Sequence, residues 1–101
     1  MANLVVGQTV IGSPGDEFTF TPPSNTTQYH FEIGTPDKNL TIGLWKDSHV
    51  AGHGVARNKL GKNYVDHACG TGQFVLSVEG ATRTYVVKVT ANSWFKKVFG
   101  F

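Results

Sequence analysis

The stretch QFVLSVEGATRTYVVKVT, Gln73 to Thr90, decides the fold. Phe74, Leu76 and Val78 alternate with Val75, Ser77 and Glu79. After the short segment Glu79 to Thr82, Tyr85, Val87 and Val89 repeat the pattern. A period of two places each apolar set on one face of an extended chain, so the stretch reads as two half-buried strands joined by a turn.

The same grammar runs outward through the chain. Leu40, Ile42 and Leu44 alternate in LTIGLWKD, as do Tyr29, Phe31 and Ile33 in QYHFEIG and Phe18 and Phe20 in EFTFT. Leu4 and Val6 predict a first strand, and NYVDHAC (63–69) adds another short one. Between these runs lie SPGD (13–16), PPSN (22–25), TPDKN (35–39) and GTG (70–72), all rich in turn-forming residues. Seven or eight strands at such intervals predict an all-β antiparallel sandwich, jelly-roll-like. With 101 residues, 40% of them hydrophobic, the chain holds one core, so residues 1–91 are expected to form a single domain. Residues 92–101 form an aromatic C-terminal arm, part of that domain or docked on a neighbour.

Charge narrows the function classes. A formal net charge of +2 is too small to argue for nucleic acid. Up to Ala56, Lys38 and Lys46 face five carboxylates, a net of −3; from Arg57 on, seven basic residues face Asp66 and Glu79, a net of +5. In a sandwich the two halves interleave, and a mixed solvated surface follows. No apolar run is long enough to span a membrane. The start, MANLVVGQTVIGSPG, lacks the basic leader and apolar run of a signal peptide. A single cysteine makes no intrachain disulfide, leaving the core alone to hold the fold.

One region departs from strand grammar. DSHVAGHGVARNKLGKNYVDHACG, Asp47 to Gly70, gathers three of the four histidines and the only cysteine. A zinc reading would use His49, His53, His67 and Cys69. Two glycines and two valines in HVAGHGVA oppose the helix that would align His49 with His53, whereas His67 and Cys69 share a strand face. A thiol-enzyme reading needs a base, an orienting group and oxyanion donors around Cys69; His67 is two strand positions away and Asp66 faces the other side. The plain alternative is exposed loop histidines and a buried strand cysteine. From Lys46 to Asn63 the connection is long enough to be a contact surface or to hold a small hairpin. Its basic end, Arg57, Lys59 and Lys62 with Tyr64 beside them, suits an acidic or polysaccharide partner. GHG and GTG lack the following helix of a phosphate site and read as turns. The tripeptides at Asn25 and Asn39 fit the glycosylation pattern, which matters only in a eukaryotic secreted protein.

The tail NSWFKKVFGF places Trp94, Phe95, Phe99 and Phe101 in the last eight residues. Exposed, such a segment invites aggregation, so burial on its own domain, on a neighbouring subunit or at a membrane surface is expected.

The order FTFTPP, LTIGLWKDS, GTGQFVLSVEG, TYVVKVT resembles the jelly-roll sandwiches of prepeptidase C-terminal type and related carbohydrate-binding modules. The likeness covers about the last two thirds of the chain and consists of strand grammar. The acidic calcium loops of some such modules are absent here. In plan, a small sandwich with an aromatic arm is also similar to phage capsid decoration, or cement, proteins. The leading expectation is therefore a non-enzymatic structural or assembly module of a virion, without cofactor. Its contacts, as a homo-oligomer and within a larger assembly, would run through Trp94, Phe95, Phe99, Phe101, Arg57, Lys59 and Lys62. The alternative is a glycan-binding module, extracellular by a route without a signal peptide in this chain, that uses Trp45 or Tyr64 as stacking platform and Asp47 or Arg57 for sugar hydroxyls. The third expectation is a small metal or thiol protein built on the histidine and cysteine loop.

Overall fold

Alternating sequence becomes alternating burial. In the computed structural model the described residues are 2–23, 27–46, 54–57 and 63–92, with side chains for all but 54–57 and 92. They form nine strands: β1 (Ala2–Asn3), β2 (Thr9–Gly12), β3 (Glu17–Phe20), β4 (Gln28–Gly34), β5 (Thr41–Lys46), β6 (Gly54–Arg57), β7 (Tyr64–Ala68), β8 (Phe74–Glu79) and β9 (Tyr85–Asn92). There is no helix among the described residues.

The strands make two sheets, one of order β1-β3-β8-β5-β6 and one of order β2-β9-β4-β7. Antiparallel pairs β2–β9, β3–β8, β4–β7 and β5–β6 nest around the β5–β6 hairpin; β4–β9 and β5–β8 close each sheet. That nesting is a rolled-up long hairpin, the jelly roll expected from the sequence. The exception to antiparallel pairing is β1, two residues parallel to β3.

The inner faces meet in one core. Phe18, Phe20, Ile42, Leu44, Phe74, Leu76 and Val78 come from the five-stranded sheet, and Tyr29, Phe31, Ile33, Val65, Tyr85, Val87 and Val89 from the other. Phe20 packs edge-on against Tyr29 and Phe31, with ring centroids 5.1 and 5.3 Å apart, and Phe18 against Tyr85 at 6.3 Å. Such edge-to-face pairs add about 0.5–1.5 kcal/mol each beyond area burial. Tyr85 keeps its hydroxyl satisfied by donating to the Ser13 carbonyl at 3.1 Å. Gly12 leaves room for both rings, since a Cβ there would lie 2.5 Å from Tyr85 and 2.7 Å from Phe18.

One expectation is corrected. Leu4 and Val6 do not form a strand. Leu4 is buried and its N–H bonds the Thr19 carbonyl, after which the chain crosses between the sheets through a turn with Gly7 at φ +86°. The strand that follows is TVIG, which the sequence reading passed over. Within the long 46–63 connection, β6 pairs back on β5 as a hairpin with a register shift beside Leu44 and Trp45.

Candidate functional site

Strand parity sends Trp45 to the outer face of the five-stranded sheet, because its neighbours Leu44 and Ile42 point into the core. The indole does not stand up from that face. It folds back along its own strand over Gly43, where a Cβ would lie 2.7 Å from its Nε1 and 3.2 Å from its Cε2. Nε1 donates to Ser77 Oγ at 3.0 Å, one strand over and diagonal to it, and that hydroxyl lies 3.5 Å from the Gly43 carbonyl oxygen. Val75, directly opposite Trp45, is only 4% exposed although it stands apart from the core cluster. The result is a half-buried aromatic plate laid on a glycine floor and pinned at one edge. Across the sheet, Trp45, Val75, Thr19 and Asn3 occupy one register row, about 14 Å long at the usual strand spacing. The next outer row holds Glu17, Ser77, Gly43 and the backbone of Arg57.

Tyr64 lies elsewhere. It sits on the outer face of the four-stranded sheet, opposite Glu32, so Trp45 and Tyr64 occupy opposite faces of the sandwich and share no site. Tyr64 instead joins a cluster that sequence reasoning missed. Its ring lies 5.0 Å from that of His30, tilted by 33°. His30 Nδ1 is 2.7 Å from Asp66 Oδ1, and Nε2 is 3.3 Å from Glu32 Oε2. A neutral imidazole, with one N–H, can donate to only one of these two carboxylates. His30 and Glu32 share a face by parity, but Asp66 joins them only through the β4–β7 register, which the sequence does not display.

The histidine and cysteine question resolves in part. His67 lies half-buried on the inner side of β7 against the Phe74 ring at 6.3 Å, and loss of solvent lowers its pKa. Cys69 is 1% exposed just past the end of β7, and burial pushes its thiol up to about 11. A buried thiol raised in this way packs as a small core hydrophobe and carries little thiolate near neutral pH. Asp66, the orienting group a catalytic histidine would need, is bound to His30. His49 and His53 lie outside the described residues; among the described residues no group of three or more could hold a metal ion. Asp47, Lys59, Lys62, Trp94, Phe95, Phe99 and Phe101 also lie outside them, and Arg57 is described by its backbone alone.

A polar clasp organises the loop end near the start of β5. Asp37 accepts from the Thr82 N–H at 3.0 Å and the Thr82 hydroxyl at 2.8 Å, with Arg83 at 3.8 Å. The two Thr82 bonds, aided by Arg83 and Thr35, hold the Asp37 carboxyl below its ordinary value.

This two-sheet geometry is shared with solved structures. A pre-peptidase C-terminal domain of a collagenase from Bacillus anthracis superposes with a TM-score of 0.68 at 17% identity, over 88% of this chain and 93% of that one. The chain has the fold of a pre-peptidase C-terminal domain. It is also similar to CBM_E1, a carbohydrate-binding module from a sugar cane soil metagenome solved with cellopentaose and a gadolinium ion. There the TM-score is 0.53 at 18% identity, over 89% of each chain. A periplasmic inhibitor of g-type lysozyme from Aeromonas hydrophila matches with a TM-score of 0.62 at 14% identity, over 90% and 96% of the two chains. No family model matches the chain, and no curated protein sequence matches it. The jelly-roll resemblance read from the sequence is thus confirmed at the level of fold; none of these three neighbours is a capsid decoration protein.

Proposed function

We propose that the protein is a non-enzymatic binding module whose ligand is a polysaccharide lying across the outer face of the five-stranded sheet, with Trp45 as the stacking platform. The observation that carries this reading is the indole itself, folded over Gly43 and fixed by Ser77. Sugar rings present C–H faces that pack on flat aromatic surfaces, and a plate already locked in place loses little entropy on binding. Thr19 and Asn3, along the same row, supply hydroxyl and amide groups for sugar hydroxyls. A carbohydrate-binding module among the fold neighbours is consistent with it. The buried, protonated Cys69 supports the non-enzymatic part.

The test is a glycan microarray followed by calorimetric titration of any hit, with Trp45→Ala alongside. Removing a central aromatic anchor is expected to lower affinity by a factor of about 30 or more, about 2 kcal/mol. No signal on any glycan, or equal binding by Trp45→Ala, overturns the reading.

The assembly reading rested on the aromatic arm and on the Arg57 to Lys62 segment. One described feature favours self-association independently of both, the outer edge of β2.

A further inference from the structure

Among the described residues the sandwich has four edge strands, β1 and β6 in one sheet and β2 and β7 in the other. Edges offer unpaired N–H and C=O groups to other chains, and proteins blunt them with brevity, bulges or charge. Three of these are blunted. β1 has two residues, β6 carries a register shift against β5, and β7 bears Asp66 and His67. β6 and β7 also pack on each other, closing that side of the sandwich.

Among the described residues β2 has no bulge, charge or covering strand on its outer edge. Thr9, Val10, Ile11 and Gly12 pair with β9 in four consecutive steps without irregularity and carry no charge. Ile11 is 74% exposed, and its cross-strand neighbour Val86 is 41% exposed. Beyond Val86 the row continues to Gly34, whose missing side chain leaves Val86 uncovered. Beside β2, a groove of about 420 Å³ bounded by Ala2, Ile11, Gly15, Asp16, Glu17 and Phe18 separates it from the edge of the other sheet.

We propose that β2 pairs antiparallel with β2 of a second copy about a two-fold axis at Ile11, joining two four-stranded sheets into one of eight strands. The partner is a second copy because the edge is self-complementary in both shape and charge. Antiparallel pairing centred on Ile11 keeps each Ile11 on the same outer face and extends the apolar row Gly34, Val86, Ile11 into its mate. The same register sets Thr9 opposite Ser13 of the other copy. Lys88, the register partner of Thr9, then approaches Asp16, whose carboxylate accepts the N–H of Ser13 in its own chain. Each interface gains this contact twice, as a two-fold requires. Four residues of edge bury less than a stable dimer needs, so the association is a weak, concentration-dependent one. It does not involve the outer face of the five-stranded sheet, because β2 belongs to the other sheet, and it would present two such faces to a repeating polymer.

The test is sedimentation velocity of the full chain from about 10 µM to 1 mM, the range of weak interfaces, with Ile11→Lys and Lys88→Glu alongside. Far-UV circular dichroism checks that both variants fold; neither side chain is in the core. The wild type should convert from monomer to dimer as concentration rises. Ile11→Lys should raise the dimer dissociation constant at least tenfold. Lys88→Glu should raise it several-fold, more at low salt than at high, since it sets a carboxylate against Asp16. Backbone amides of β2 should gain hydrogen-exchange protection with concentration. A wild type that stays monomeric throughout, or a dimer that Ile11→Lys leaves intact, overturns the proposal.

Discussion

Replacing Gly43 with alanine separates the role of Trp45 in binding from its role in stability. The new Cβ would lie 2.7 Å from Trp45 Nε1, 3.0 Å from Ser77 Oγ and 3.2 Å from Trp45 Cε2. Carbon contacts settle near 3.5–4.0 Å, so the indole must move by about 1 Å or swing off the sheet. All three clashing atoms are side-chain atoms on a half-buried face, so they move without disturbing the core. Displacement costs the Nε1 to Ser77 hydrogen bond, about 0.5–1.5 kcal/mol net. Against this, losing a glycine from a strand interior gains about 0.4–1 kcal/mol by restricting the unfolded chain. The two offset, and stability should change by less than about 1 kcal/mol, a Tm shift within about 8 °C. Binding has no such offset. The plate is no longer flat on the sheet, and glycan affinity should fall at least about tenfold, or 1.4 kcal/mol. Ser77→Ala removes the pin without the clash and should fall between wild type and Gly43→Ala. The measurements are urea unfolding, glycan titration and indole emission in a Trp94→Phe background, so that Trp45 is the sole reporter. Unchanged emission in Gly43→Ala would refute the geometry. A shifted emission with wild-type affinity would refute the site.

Two further outcomes follow from the titrating groups. Asp37 has its pKa lowered chiefly by the two Thr82 bonds, so its contribution is present above the unfolded value of 3.8 and is lost as pH falls through the lower folded value. The urea midpoint of the wild type should therefore drop below that pH more steeply than that of Asp37→Asn; equal slopes would show that the clasp contributes nothing. Cys69, with its thiol raised from 9.0 to about 11, has about 100-fold less thiolate at pH 8 than a free thiol, on top of being enclosed. Its alkylation should track global unfolding, and stoichiometric labelling of the folded protein would restore the thiol reading.

Where parity was unbroken, the fold was legible. Phe74 to Val78 and Tyr85 to Val89 became β8 and β9 because burial on one face needs a period of two and nothing competes with it. The misreading at Leu4 and Val6 has the same root. Both share a parity, and both pack on or in the core, but Leu4 bonds the β3 edge while Gly7 turns the chain toward the other sheet. Alternation reports which side chains are buried, not which backbone carries a ladder. TVIG escaped notice because Thr9 and Ile11 both face outward, which leaves Val10 as its single inward anchor with a sizeable side chain. A short edge strand with an apolar residue on its solvent side violates the usual pattern, and that violation is what makes it a candidate for pairing with another copy.

The candidate site was legible by halves, and the division is physical. Alternation puts Trp45 on the face opposite Leu40, Ile42 and Leu44, and its glycine floor lies two residues earlier on the same strand, within reach of sequence reasoning. Ser77 was out of reach because it is fixed by the β5–β8 register, a choice made 32 residues away. That Trp45 and Tyr64 lie on opposite faces of the sandwich was out of reach for a related reason. Both are outward-facing aromatics, but parity gives a face relative to the strand and says nothing of which sheet the strand joins. His30 shows the converse. Alone in QYHFEIG it looks like one polar residue on a solvated face, and only the β4–β7 register brings Asp66 to 2.7 Å. Local pattern therefore specifies which residues are available for function, and the strand order of the jelly roll specifies which of them meet. In this chain that order puts the indole on one sheet and the β2 edge on the other, so the proposed glycan binding and the proposed self-association should respond separately, to Gly43→Ala and to Ile11→Lys.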